Sequence, residues 1–168
     1  MHPRTPSEIT VVKPALLKRE LQLLDGNTTV GKIQFPSRFK MNAEATLFEE
    51  KWSVTQTGFW RPFLEFKGHD RPFTKVKVRH KPGGKIDWTG SDGNPYTFRK
   101  TKWWKHTYAW YDQNKSPILE LRPDHSFSSK QAKITINQPN HPDIRVMLLI
   151  GVIVYLIQKR HAAAVAAS

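Results

Sequence analysis

The run Ile144-Arg145-Val146-Met147-Leu148-Leu149-Ile150-Gly151-Val152-Ile153-Val154-Tyr155-Leu156-Ile157 constrains this chain more than any other stretch. From Val146 to Ile157 no position is charged, and only Gly151 and Tyr155 are neither aliphatic nor methionine. A helix apolar on one stripe lies on a surface; one apolar all round must be buried, in protein or in lipid. Fourteen residues rise roughly 21 Å. A bilayer's hydrocarbon core is about 30 Å thick and takes about 20 residues. Gln158-Lys159-Arg160-His161 then closes the run with charge. Length and flanks favour a buried core helix, with Val146, Leu148, Leu149, Ile150, Val152, Ile153, Leu156 and Ile157 facing protein. A short membrane anchor over 144–157 is the main alternative. Val152, Ile153 and Val154 are β-branched and also permit a strand, but the ends carry helix signals. Asn140 suits a cap, Pro142 a first turn, and Asp143 lies three residues after Asn140. Lys159 and Arg160 suit a helix C-terminus. The expected central helix is therefore 143–160, followed by a frayed or disordered tail at 162–168.

At 168 residues the chain is long enough for one domain with a core. Its mean hydropathy of −0.57 reads as that of a soluble protein, with no basic-then-apolar leader at the amino end. A cytoplasmic location is expected, with membrane association as its variant. Cysteine is absent, which removes disulfides, thiolate metal sites and cysteine nucleophiles. Lys and Arg number 27 against 14 Asp and Glu, a net charge of +13. Such a surface attracts nucleic acid, anionic lipid headgroups or acidic proteins.

Residues 1–14 are polar and proline-rich and read as a flexible N-terminal segment, although Ile9–Val12 can pair as a short strand. The domain proper is expected over 15–161. From Ala15 onward, short segments alternate with turn residues, the pattern of an all-β domain. Leu16–Leu24 is followed by Asp25-Gly26-Asn27, a hairpin cue, and then Thr29–Phe35. Phe39–Phe48, Lys51–Thr57, Trp60–Lys67, Thr74–Lys81, Lys85–Thr89, Tyr96–Thr101, Trp103–Tyr111, Pro117–Leu121 and Gln131–Asn137 complete the series. Eleven or twelve antiparallel strands rarely stay as one open sheet, and closure removes the edges. The expected fold is mainly β: a closed antiparallel barrel of about 11–12 strands around a buried hydrophobic C-terminal helix.

This order of strands from Leu16 to Asn137 resembles the tubby C-terminal-like superfamily, which includes tubby proteins, phospholipid scramblases and LURP-one-related proteins. The turn Asp25-Gly26-Asn27 with Val30-Gly31-Lys32-Ile33, the segment Tyr108-Ala109-Trp110-Tyr111-Asp112 and the terminal Leu148–Ile157 carry the likeness. It spans nearly the whole chain and is architectural, with little motif specificity. It implies a helix threaded through a closed barrel, and anionic-lipid binding as an activity. It assigns no site residue. Scramblases are associated with calcium, but Asp87 and Asp92-Gly93-Asn94 lack calcium-loop spacing and read as a turn.

The candidate anion-binding residues are Lys75, Lys77, Arg79 and Lys81, which alternate along one strand face, together with Lys85, Arg99, Lys100, Lys102 and Lys105. Cations at period two stand about 7 Å apart on one face and repel each other, so a phosphate-rich partner would relieve them. The bland alternative is a solvated face that blocks edge pairing. Trp103, Trp104, Tyr108, Trp110 and Tyr111 lie among these cations. Aromatics beside cations serve at bilayer interfaces or stack on bases. The plainer reading puts Trp104, His106, Tyr108 and Trp110 on one inward strand face. The seven histidines show no metal-ligand spacing, and no nucleophile or phosphate-loop motif is present, so no enzyme, metal or cofactor is expected. The favoured function is peripheral binding of anionic phospholipid, such as phosphoinositide, by the basic face. The alternatives are a nucleic-acid-binding module on that face and a membrane-tethered structural protein. Oligomeric state is not encoded in any motif.

Overall fold

Alternation of apolar and polar residues builds one wide antiparallel sheet, and the apolar terminal run lies against its inner face. The computed structural model describes residues 4–14, 19–36, 42–57, 63–69, 74–76, 85–124, 126 and 129–168. Its strands are β1 (Glu8–Val12), β2 (Glu20–Asp25), β3 (Thr28–Gln34), β4 (Ala43–Leu47), β5 (Glu50–Thr57), β6 (Phe63–Gly68), β7 (Thr74–Val76), β8 (Ile86–Thr89), β9 (Pro95–Lys100), β10 (Tyr108–Tyr111), β11 (Pro117–Pro123) and β12 (Lys130–Ile136). Among the described residues one helix, α1 (Ile144–Ala166), follows. The twelve strands form one sheet in the order β7-β6-β5-β4-β3-β2-β1-β12-β11-β10-β9-β8. Every pairing is antiparallel, and every one but β1 with β12 joins consecutive strands. Among the described residues the sheet is open, with its edges at β7 and β8.

The expected N-terminal boundary needs correction. Residues 8–12 are not a loose lead-in: β1 sits mid-sheet between β2 and β12. Ile9 and Val11 are buried while Glu8 is exposed, an alternation short enough to be missed beside three prolines. The first hairpin is as expected, with Gly26 at φ 58° between β2 and β3. The β4–β5 hairpin turns instead on Phe48 and Glu49, at φ 48° and 71°.

The sheet wraps the helix rather than lying flat beneath it. Val146, Leu148, Leu149, Ile150, Val152 and Ile153 are all buried, as are Met147 and Val154 between them, while Leu156 and Ile157 are half-buried. Burial on every side of a helix requires protein on every side. The contacts come from distant strands. Arg145 pairs with Glu50 of β5 and stands over the Phe48 ring, and Arg160 stands over Phe35 just beyond β3. On the opposite wall the Trp110 indole N–H donates to the Met147 carbonyl at 2.8 Å. Register breaks in β1, β2 and β10 bend the strands locally. Among the described residues no helix is long and apolar enough to cross a membrane. The sheet, not lipid, covers Ile144–Tyr155.

The helix also runs further than expected, through the alanine-rich segment to Ala166 instead of ending at residue 160. Alanine has the highest helix propensity, and the buried turns before it supply the nucleus. Its start lies within one residue of the expected 143, but its cap differs. Asp143, not Asn140, occupies the cap position, and its carboxylate turns away to accept the Ser91 N–H at 3.0 Å.

Candidate functional site

Successive antiparallel strands put their turns at alternate ends of the sheet. The β4–β5, β8–β9 and β10–β11 turns lie at the helix N-terminal end, tied there by Arg145–Glu50 and Asp143–Ser91. The β9–β10 and β11–β12 turns lie at the C-terminal end, where Lys159 Nζ donates to Gln131 Oε1 at 3.0 Å. Most of the described candidate cations gather at this second end. β9 finishes in Arg99 and Lys100, and Lys102 and Lys105 follow in the turn. Lys85 stands at the same level, because the next residue, Ile86, pairs with Phe98. The helix adds Lys159 and Arg160, which were read from the sequence only as helix-end charges. Lys75 lies in β7 opposite Glu65, and Lys77, Arg79 and Lys81 fall outside the described residues.

These cations are not equivalent. Arg99 stacks on the Tyr111 ring at 4.5 Å, and Lys100 reaches over Tyr108 at 5.9 Å. Lys85 pairs with Asp87 at 3.6 Å, with both side chains mostly in water. Lys102 lies 5.4 Å from the Trp104 ring centre, and Lys105 projects into solvent.

Between β9 and β10, residues 101–107 form a turn closed by the Thr101 N–H donating to the Thr107 carbonyl at 2.9 Å. Strand alternation therefore begins only at Tyr108. This overturns the placement of Trp104 and His106 in the core: both are exposed. Trp103 is 84% and Trp104 59% exposed, with their rings edge to face at 5.6 Å. Tyr108 and Trp110, which do lie in the strand, are buried.

Below this turn, where the helix leaves the sheet, is a half-open cavity of about 290 Å³. Tyr108, Tyr155 and Pro123 line it, with Ala162 and Gln158 on the helix and Lys100, Lys159 and His106 also lining it. Tyr108 and Tyr155 meet edge to face at 6.1 Å. Burial raises both phenols above the ordinary tyrosine value, that of Tyr155 to about 12 with a smaller contribution from Tyr108. Both are neutral near pH 7. The sequence concealed this cavity because its walls come from β9, β10, β11 and residues beyond the apolar run.

The opposite end carries a second polar cluster. The Asp143 N–H donates to His141 Nδ1 at 3.1 Å, which leaves the proton of a neutral ring on Nε2. Nε2 lies 2.9 Å from the Tyr96 hydroxyl, which donates to Asp92 at 2.5 Å. The Tyr96 bond is the main cause of the lowered Asp92 pKa. Burial, reinforced by Asp92, pushes Tyr96 up to about 12. Asp92 also accepts the Asn94 backbone N–H, so it serves its own turn.

Comparison with known proteins finds no family model, no curated protein and no solved structure that matches this chain.

Proposed function

We propose that this protein binds anionic phospholipid surfaces peripherally, with the β9–β10 turn as the contact. The observation that carries the reading is the exposure of Trp103 and Trp104 on one turn that also holds Lys102 and Lys105. Two exposed indoles are unfavourable in water and suit the headgroup region, where amphipathic rings collect. Lysines near an anionic surface contribute about 1 kcal/mol each. Lys85, Lys100, Lys159 and Arg160 widen the basic end behind them. A tubby-like barrel is the matching architectural proposal. The two sheet edges, β7 and β8, are consecutive in sequence, while β1 and β12 already pair mid-sheet. That is the order of an up-and-down barrel with one seam, and pairing β7 with β8 would close it. The role is binding and not catalysis, and a cytoplasmic site of action fits it.

The test is sedimentation with vesicles of phosphatidylcholine alone or with added phosphatidylserine or phosphoinositide. Binding is expected only to the anionic vesicles, with a blue-shifted tryptophan emission, and is expected to fall at least tenfold in Trp103→Ser/Trp104→Ser. Equal binding to neutral vesicles, or no loss in that variant, would sink the reading. Preferential capture of a single-stranded oligonucleotide with a steep salt slope would replace it with the nucleic-acid alternative.

A further inference from the structure

The cavity at the helix exit has a chemistry of its own, and the inference drawn from it stands apart from the surface reading above. We propose that this cavity is a binding site for a single-chain anionic amphiphile: one hydrocarbon chain ending in a carboxylate or phosphate. Its volume, about 290 Å³, sits at the low end of small-molecule sites, too small for a two-chain lipid. The walls are mostly hydrocarbon and ring carbon from Tyr108, Tyr155, Pro123 and Ala162. Among the lining residues the ionisable groups besides the two phenols are Lys100, Lys159 and His106, and none is acidic. The carboxylate nearest in sequence, Asp124, is engaged by the Ser126 N–H and hydroxyl at 3.0 and 2.6 Å.

The cations are also held where a head would meet them. Gln131 positions the Lys159 ammonium, and the Tyr108 ring positions that of Lys100. The phenol of Tyr155 points to the Gln131 carbonyl at 3.4 Å, a long contact that leaves it able to turn to a better acceptor. A chain laid along Tyr108 and Tyr155 thus has its apolar length on ring faces and meets the Lys100 and Lys159 ammonium groups of the same lining with its anionic end. A neutral or cationic head finds no matching charge there.

The full chain is titrated calorimetrically with decanoate and with decyl phosphate, both kept below their micelle thresholds, and with decyltrimethylammonium as the cationic counterpart. Saturable binding of one equivalent of an anionic probe is expected, with none of the cation. The stronger of the two anions identifies the head. Ala162→Leu places a larger side chain at an exposed helix position and is expected to lower the affinity at least tenfold without unfolding the protein. Lys100→Gln/Lys159→Gln is expected to lower it severalfold and to weaken its salt dependence. Both variants are also sedimented with anionic vesicles, and Trp103→Ser/Trp104→Ser is titrated with the anions. Ala162→Leu should keep its vesicle binding, and the tryptophan variant its decanoate binding. Non-saturable uptake, equal binding of the cationic amphiphile, or undiminished affinity in Ala162→Leu would overturn the proposal whatever the vesicles show.

Discussion

Single residues fix the helix in its sheet, and two of them, with one strained turn residue, give measurable expectations. Trp110 donates from a fully buried indole to the Met147 carbonyl. Trp110→Phe removes that bond along with part of the ring, and a destabilisation of about 1–3 kcal/mol is expected in urea unfolding. Gly151 lies mid-helix, where glycine is normally unfavourable by about 1 kcal/mol. A Cβ there would approach Leu121 Cδ1 to 3.2 Å and Phe98 Cε2 to 3.4 Å, so the helix sits against β9 and β11 at glycine distance. Gly151→Leu overfills that contact and is expected to lose about 1–3 kcal/mol or more. Glu49 is exposed with φ at 71°, a conformation that strains any side chain bearing a Cβ. Glu49→Gly is expected to raise stability by up to about 1 kcal/mol. The tyrosines supply a pH test. Tyr96 and Tyr155 are raised to about 12, so the folded state holds their protons more tightly than the unfolded chain does. Their contribution is fully present below the ordinary phenol value of about 10 and is lost as pH rises from there towards 12. Ultraviolet titration should show the Tyr96 and Tyr155 phenols ionising near 12, or only as the protein unfolds.

At the scale of the element, α1 is core in the literal sense. A chain ending at Asn140 leaves the inner faces of the sheet uncovered, and it is expected to lose cooperative unfolding and to aggregate. A truncated chain that melts cooperatively would contradict this. The apolar run was legible because its composition forces burial, and its length and charged flank argued against lipid. The strand series was legible because period-two alternation recurs between turns, as in Trp52 and Val54 of β5, both buried. The 101–107 turn was not. Trp103-Trp104 beside Tyr108-Ala109-Trp110-Tyr111 reads as one aromatic strand, and only the Thr101–Thr107 bond shows where pairing stops. The helix start is legible to within one residue, but its cap is not. Asp143 has a cap's composition, but its carboxylate serves Ser91 in a hairpin 52 residues earlier, a tertiary contact with no local signature.

At the scale of the whole molecule, the charges of the described residues are spread unevenly along the helix direction. Among the described residues, Asp25, Glu49, Asp92 and Asp112 occupy turns at the helix N-terminal end, with Lys51, Lys115 and Arg145 as cations there. Lys100, Lys102, Lys105, Lys159 and Arg160 occupy the other end, with Asp124 in the β11–β12 turn as an acidic residue there. The helix itself has no acidic residue in its first turn and no basic residue in its last, so its dipole does not explain the arrangement; strand topology gathers these cations at one face. Vesicle binding through that face is expected to weaken steeply between low and physiological salt, as the screening length falls to about 8 Å. A convergence of this kind is not legible in sequence, since Lys85, Lys100 and Lys159 are brought together only by topology. The central claim is that the sheet buries the apolar run of the helix. Amide hydrogen exchange on the full chain, in buffer and without lipid, tests it most directly. The account predicts that the amides of 148–155 exchange as slowly as those of β1, β11 and β12, through global unfolding alone. Exchange of the helix amides far ahead of those strands would show a helix that leaves the sheet, and would contradict the account.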